Sequence, residues 1–108
     1  QKYDCLIMAD ISTVEEAIIC QDAGANFISS TLNGYTPDTK VDNNGKPNFE
    51  FAKKLVSSLR IPVFAEGRIS TPNQAKKMID FGVHGVVVGT SITRPRIITS
   101  NFTEKINL

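Results

Sequence analysis

Short runs of apolar residues alternate along the chain with segments in which apolar residues recur every three or four positions. The short runs are typical of strands in a covered parallel sheet, and the longer segments are typical of amphipathic helices. The four predicted strands are residues 5–9, 27–30, 62–65 and 85–88. The order is therefore β-α-β-α-β-α-β-α, which predicts parallel strands joined by right-handed crossovers.

Capping residues mark where the helices begin. A capping box is predicted for the first helix, with Ser12 or Thr13 as the N-cap. The third helix combines Thr71 as N-cap with Pro72 at its first position and Gln74 closing a second box. The predicted core-facing residues are Val14, Ala17, Ile18 and Cys20 in the first helix, Phe51, Ala52, Leu55, Val56 and Leu59 in the second, Ala75, Met78 and Ile79 in the third, and Ile97, Ile98, Phe102 and Ile106 in the last.

The pattern leaves two architectures open. Four such units suit either a small doubly wound sheet or half of an eight-unit barrel. A polar stretch from Thr31 to Pro47 follows the second strand, and a connection of that length is typically functional or disordered. The apolar run at residues 5–9 has no capping or leader segment before it, so we expect the sequence to come from a longer chain.

The composition is that of a globular chain, with 108 residues of which 41% are hydrophobic and 21% charged. A net charge of +1 gives no basic surface for nucleic acid or an anionic membrane. No apolar run approaches the roughly 20 residues of a membrane span. Cys5 and Cys20 lie in apolar segments without a metal-binding spacing, which predicts two buried, reduced thiols and a cytoplasmic protein.

The residues that follow the strands are the candidates for chemistry, because ligands of parallel α/β proteins bind at the carboxyl ends of the strands. Gly67 and Gly89 directly follow two consecutive strands, where a missing side chain lets the backbone approach a ligand. A helix beginning near Ser91 would point free N–H groups at an anion, and Arg68 and Arg94 can add charged hydrogen bonds. This pattern predicts a phosphate site. The alternative is that the glycines only permit tight turns and the arginines are solvated.

Two carboxylates also stand at strand ends. Glu66 can act there as an acid or base, form a salt bridge with Arg68, or cap a neighbouring helix. Asp10 can belong to a site or help to cap the following helix. Thr31 and Tyr35 border the long polar stretch and either line a pocket or pack that loop. His84 lies at the start of the fourth strand, at the opposite end of the sheet from the candidate site residues, and we expect a structural role for it.

Four of these segments together resemble one family. Residues 8–13, 31–36, 65–69 and 88–95 occur in the order and at the spacing of the N-acetylmannosamine-6-phosphate 2-epimerases of bacterial sialic-acid catabolism. The likeness extends from about Cys5 to Ile106. It implies an α/β fold of the phosphate-binding (β/α)8 TIM barrel type, about twice as long as this chain. Residues 1–108 would then form one half-barrel domain, with strands five to eight of the barrel.

The resemblance also implies roles. Glu66 would take part in proton transfer at C2 of the sugar, without a metal or cofactor. The catalytic lysine of the family lies in the first half of the barrel and has no counterpart here. The expected partners are a phosphorylated amino sugar and either a further copy of the chain or a complementing N-terminal half. The substrate-binding residues would be Asp10, Thr31, Tyr35 and Arg68, and the phosphate-binding residues Gly67, Gly89, Thr90 and Arg94, with the backbone of Arg68 contributing.

Two other functions stay open. One is a non-catalytic module that keeps an anion site and assembles through its exposed sheet edges. The other is a different phosphate-binding barrel enzyme, such as a thiamine-phosphate synthase or a histidine-pathway isomerase. The segments 31–36 and 65–68 argue against that last interpretation.

Overall fold

All four predicted strands are present in the computed structural model, which describes residues 2–40 and 45–106. The strands are β1 (Met8–Asp10), β2 (Phe27–Ser29), β3 (Val63–Glu66) and β4 (Gly85–Val87). The helices are α1 (Val14–Asp22), α2 (Phe49–Ser58), α3 (Pro72–Asp80), α4 (Thr90–Thr93) and α5 (Pro95–Ile106). The elements therefore alternate as predicted, and α4 is the short helix predicted near Ser91, one turn long and directly before the last helix.

The strand order decides between the two architectures. The four strands form one parallel sheet in the order β1-β2-β3-β4. Because every crossover advances in the same direction and is right-handed, the helices lie on one face of the sheet. A doubly wound sheet would instead reverse its strand order and carry helices on both faces. The fold is therefore half of a (β/α)8 barrel.

One face of the sheet carries the hydrophobic core. Ile28, Val63 and Ala65 are at most 3% exposed, and they form a single cluster with residues of the first three helices. In α2 the predicted stripe is confirmed, since Phe51 and Leu55 are buried against this cluster. The helices thus cover the sheet from this side only.

The other face, which we call the open face, has no helix over it. Met8 is 46% exposed there and Val87 is 39% exposed. Successive side chains of a strand point to opposite faces, and the register of the strands aligns those faces across the sheet. The open face is formed by Met8, Asp10, Phe27, Ser29, Phe64, Glu66, Gly85 and Val87. It therefore combines apolar side chains with the two candidate carboxylates.

The first and last helices differ from the predicted pattern. In α1 the predicted core residue Ile18 is 39% exposed, whereas Gln21 is buried because its Oε1 accepts the backbone N–H groups of Arg60 and Ile61 at 2.6 and 3.2 Å. Helix α5 begins at Pro95 as predicted but buries none of its residues. Its predicted apolar stripe is exposed, with Phe102 at 66%.

The prediction of two buried thiols is wrong for Cys5. The first strand begins at Met8 rather than at residue 5, so Cys5 lies ahead of the sheet and is exposed. Cys20, on α1, is half-buried. In the described ranges 2–40 and 45–106, no helix is both long and apolar enough to cross a membrane.

Helix α1 begins with the predicted capping box, in the register of Thr13. The Thr13 hydroxyl accepts the N–H of Glu16 at 3.2 Å, and Glu16 Oε2 accepts the N–H groups of Ser12 at 2.7 Å and Thr13 at 3.3 Å. The Ser12 hydroxyl donates to the same oxygen at 2.9 Å. These bonds favour the ionised carboxyl group, so the pKa of Glu16 lies below its ordinary value of 4.5, chiefly because of the Ser12 N–H.

The capping box predicts a pH dependence of stability. The folded pKa of Glu16 is lower than the unfolded one, so its contribution is complete above pH 4.5 and is lost as the pH falls through the folded value. We expect Glu16→Gln to flatten the free energy of unfolding below that pH, measured by urea titration. Glu15→Gln, one residue away on the surface, is the matched control. The same acid dependence in Glu16→Gln and wild type would contradict this account.

Candidate functional site

The carboxyl ends of β3 and β4, together with the loop after β2, surround an open cleft of about 430 Å³. Most of the predicted site residues meet in it. The predicted residues that line the cleft are Tyr35, Glu66, Gly67, Arg68, Gly89 and Thr90. Asp10 and Thr31 lie beside Glu66, while Arg94 lies outside the lining as the exposed C-cap of α4. The cleft therefore joins the candidate acid–base group to the candidate phosphate-binding loops.

Glu66 is the last residue of β3, and two hydroxyl groups lie near its carboxyl group, that of Ser29 at the end of the neighbouring strand β2 and that of Thr31 two residues later. Thr31 Oγ1 lies 2.6 Å from Glu66 Oε2, and Ser29 Oγ lies 3.3 Å from the same oxygen. The two hydroxyl oxygens are 2.5 Å apart. Asp10, at the end of β1, joins through a 3.4 Å contact between its Oδ1 and Thr31 Oγ1. The carboxylates of β1 and β3 are thus connected across β2.

The backbone at Glu66 is fixed in a similar way by Ser30. The Ser30 hydroxyl donates to the carbonyl oxygen of Glu66 at 3.1 Å and accepts the N–H of Glu66 at 3.0 Å. The side chain of Ser29 is completely buried, and Ser30 is 8% exposed. From the sequence, both serines were predicted only as members of a strand. The sequence did contain a signal for this role, because two hydroxyl groups end an otherwise apolar run. Buried hydroxyl groups require hydrogen-bond partners, which indicates that both serines bond to neighbouring residues.

Arg68 connects the cleft to the loop after β2. Its Nη2 donates to the carbonyl oxygen of Gly34 at 3.2 Å, and its guanidinium carbon lies 4.4 Å from the centre of the Tyr35 ring. Arg68 has a left-handed backbone, with φ +58°, directly after Gly67 with φ +112°. Within the described ranges Glu66 and Arg68 form no salt bridge. The arginine therefore holds Tyr35 and its loop at the cleft.

Gly89 lines the end of the cleft at which the sequence predicts a phosphate site. It is the N-cap of α4, the short helix that the sequence predicts near Ser91, and no side chain caps that helix. A Cβ at Gly89 would meet no atom within 4 Å, so the space over its backbone is free. Gly89 and Gly67 thus present backbone to the same cleft from two adjacent strands.

His84 lies at the amino end of the sheet, away from the cleft, as expected from the sequence. It is exposed, and its ring packs edge-on against Phe64 with 5.4 Å between the ring centres. Among the residues that the structure describes, no group of three or more His, Cys, Asp or Glu side chains is placed to hold a metal ion.

The whole chain matches a known protein family. The family model described as "Putative N-acetylmannosamine-6-phosphate epimerase" covers residues 1–108. A protein from Clostridioides difficile (strain 630), named "Putative N-acetylmannosamine-6-phosphate 2-epimerase", is 48% identical over 103 residues. That alignment covers 95% of this chain and 45% of the relative.

Solved structures give the same family and the same barrel. The N-acetylmannosamine-6-phosphate 2-epimerase from Clostridium perfringens superposes with a TM-score of 0.86 at 47% identity, over 94% of this chain and 44% of that one. The thiamine phosphate pyrophosphorylase from Pyrococcus furiosus has a TM-score of 0.66 at 24% identity over 96% of this chain and 50% of that one, and this likeness shows the fold alone. The chain thus spans about 45% of the length of the epimerases it matches.

Proposed function

Because the chain belongs to the N-acetylmannosamine-6-phosphate epimerase family, we propose that it takes part in the interconversion of N-acetylmannosamine 6-phosphate and N-acetylglucosamine 6-phosphate. In this proposal the chain is the C-terminal half of the barrel and supplies one acid–base group and the phosphate site. The observation that carries it is the shared cleft, in which the carboxyl group of Glu66 lies beside the bare backbone of Gly67 and Gly89.

The chemistry needs a group that moves a proton at C2. In the open-chain sugar C2 lies next to an aldehyde, so loss of its proton leaves a resonance-stabilised enolate. Return of a proton to the opposite face then inverts the centre. Glu66 is the group we assign to one face, because it is a carboxylate held at the edge of the cleft. The reaction so described needs no cofactor.

The second proton-transfer group is a lysine from the first half of the barrel, as the family resemblance implies. Among the described residues that line the cleft there is no lysine. The two groups would then approach C2 from opposite faces of the sugar. Because their surroundings differ, their proton affinities differ as well, so that one group can accept a proton while the other donates one.

The remaining cleft residues bind the substrate in this proposal. The amides of Gly67, Arg68, Gly89 and Thr90 hold the phosphate, and the guanidinium of Arg94 moves in from the edge of α4 to join them. Asp10, Thr31, Tyr35 and the side chain of Arg68 contact the sugar. The phosphate is remote from C2, so its binding energy orients the reacting carbon without taking part in the reaction.

The open face and α5 are the surfaces that we assign to the first half of the barrel. Phe102 and Ile106 of α5 are more than 60% exposed, and β1 and β4 each have an unpaired edge within the described sheet. We place the completed barrel in the cytoplasm, in keeping with the free thiols of Cys5 and Cys20.

The same edges favour a second candidate function, a non-catalytic module. Unpaired parallel strands can add a further copy of the chain, and such an assembly needs the open face but not Glu66. The two functions differ in proton exchange at the sugar, which only the epimerase performs.

Deuterium exchange at C2 tests the proposal. We expect this chain, co-expressed with the first half of the Clostridioides difficile relative, to exchange the C2 proton of N-acetylmannosamine 6-phosphate with solvent deuterium. The first half expressed alone is the control and should not exchange it. Exchange is followed by proton NMR. A folded complex that binds the sugar phosphate but leaves C2 unlabelled would favour the non-catalytic module.

A further inference from the structure

The hydroxyl group of Thr31 lies at the centre of the polar cluster around Glu66. Its oxygen is 2.6 Å from Glu66 Oε2, 2.5 Å from Ser29 Oγ and 3.4 Å from Asp10 Oδ1. A hydroxyl group has a single proton to donate and two lone pairs with which to accept. Thr31 therefore donates to one of these three neighbours at a time.

The distances assign that proton to Glu66. A carboxylate only accepts hydrogen bonds, and 2.6 Å is typical of a strong bond from a hydroxyl to a charged oxygen. The 3.4 Å to Asp10 is longer than an ordinary hydroxyl bond. Since Thr31 has then used its only proton, the short contact to Ser29 must be donated by Ser29. The other acceptor near the Ser29 hydroxyl is Glu66 Oε2, which lies farther away, at 3.3 Å against 2.5 Å for Thr31 Oγ1.

The two oxygens of the Glu66 carboxyl group consequently differ. Oε2 is held by Thr31 and lies near Ser29, whereas Oε1 has no hydrogen-bond partner within residues 2–40 and 45–106. Glu66 lines the cleft, so its unbonded oxygen is the one available to a substrate. A carboxyl group is planar, so a bond that fixes one of its oxygens also fixes the direction in which the other oxygen points.

We propose that Thr31 is a positioning residue, which with Ser29 behind it holds Glu66 Oε2 so that Oε1 is presented to C2. This inference rests on the proposed function. It gives the Thr31 hydroxyl a role other than the direct sugar contact implied by the family resemblance. Small displacements of a reacting group have large effects on rate, so loss of this bond acts on turnover rather than on substrate affinity.

Kinetics of Thr31 variants separate the two roles in the complex of this chain with the first half of the barrel. We expect Thr31→Val, which keeps the shape of the side chain but removes the hydroxyl, to lower kcat by about 10- to 100-fold with little change in KM. Thr31→Ser restores the hydroxyl and should recover most of kcat. Ser57→Ala, which removes an exposed hydroxyl group of α2 that donates to the carbonyl oxygen of Lys54, is the control and should leave both parameters unchanged. A raised KM with unchanged kcat in Thr31→Val would overturn the inference.

Crystal structures of the wild-type and Thr31→Val complexes provide a readout that needs no turnover. We expect the Glu66 carboxyl group of the variant to be displaced by about 1 Å or to occupy two orientations, which is enough to account for the rate. A carboxyl group that keeps its wild-type position shows that Thr31 does not hold it. If the wild-type complex binds substrate without exchanging C2, the proposed function fails, and the crystal structures still decide the positioning role.

Discussion

Replacing Glu66 with Gln is expected to lower C2 exchange by about 100- to 10,000-fold, which is the usual contribution of a positioned general acid or base. Glutamine has nearly the same shape as glutamate, and its amide oxygen can still accept the Thr31 hydroxyl that lies 2.6 Å from Oε2. The fold and the cleft should therefore survive, while the group that carries the proton is lost. The measurement is deuterium incorporation at C2 in the complex of this chain with the first half of the barrel.

Phosphate binding should be almost unchanged in Glu66→Gln, because the proposed phosphate ligands are backbone N–H groups and Arg94. Gly89→Ala is the complementary variant, designed to weaken phosphate binding while leaving Glu66 in place. The added Cβ meets no protein atom within 4 Å, so it leaves the fold intact while occupying the space in which the phosphate is proposed to sit. We expect phosphate titration by NMR to detect weaker binding in Gly89→Ala only. Equal C2 exchange in Glu66→Gln and wild type would remove Glu66 from the mechanism.

The elements could be predicted from sequence because their signals are local. The apolar spacing of α2 alone identifies its buried residues Phe51, Ala52 and Leu55. Thr71 and Pro72 likewise mark the start of α3 from within four residues of chain. In α1 the spacing correctly identifies Val14, Ala17 and Cys20, which pack in or against the core, whereas Ile18 is exposed and the burial of Gln21 could not be predicted in this way. Gln21 is buried there through bonds to backbone groups 39 and 40 residues away, and no local period contains that information.

The same distinction applies to the site. Glu66, Gly67 and Gly89 could be selected because each lies within two residues of the end of a predicted strand. The partners of Glu66 could not, because Ser29 at the end of β2 and Thr31 just after it are 37 and 35 residues away in sequence. Their position beside Glu66 depends on the register of β2 against β3. The choice of half barrel over doubly wound sheet also needed the strand order, which is a property of the assembled sheet.

The exposed apolar residues have one physical explanation in the half barrel. The helix-covered face is packed, whereas the open face and α5 keep large side chains in contact with solvent. The period of α5 correctly identifies a stripe of apolar residues, but a stripe is buried only where a second surface meets it. Among the described elements the short helix α4 is the main neighbour of α5, so the helix formed as predicted while Ile97, Phe102 and Ile106 of its apolar stripe stayed exposed.

The loop after β2 should depend on Gly34, because a side chain there would require the guanidinium group of Arg68 to move. Gly34 has φ +87°, and a Cβ built there lies 2.3 Å from Arg68 Nη1. Gly34→Ala therefore combines a left-handed alanine, which costs about 1–2 kcal/mol, with displacement of the guanidinium. The displaced Arg68 loses its 3.2 Å bond to the Gly34 carbonyl oxygen and its stacking on Tyr35. We expect a loss of stability of about 2–3 kcal/mol and weaker sugar-phosphate binding.

Gly24→Ala isolates the backbone part of this effect. Gly24 also has a left-handed backbone, with φ +104°, but a Cβ there meets nothing within 4 Å. Both variants should thus share the penalty for a left-handed alanine, and only Gly34→Ala should also move Arg68. Urea unfolding of the two variants measures the difference, and NMR of the Arg68 side chain reports its displacement. Equal losses of stability, with the Arg68 resonances unchanged, would show that the contact between Gly34 and Arg68 does not hold the loop at the cleft.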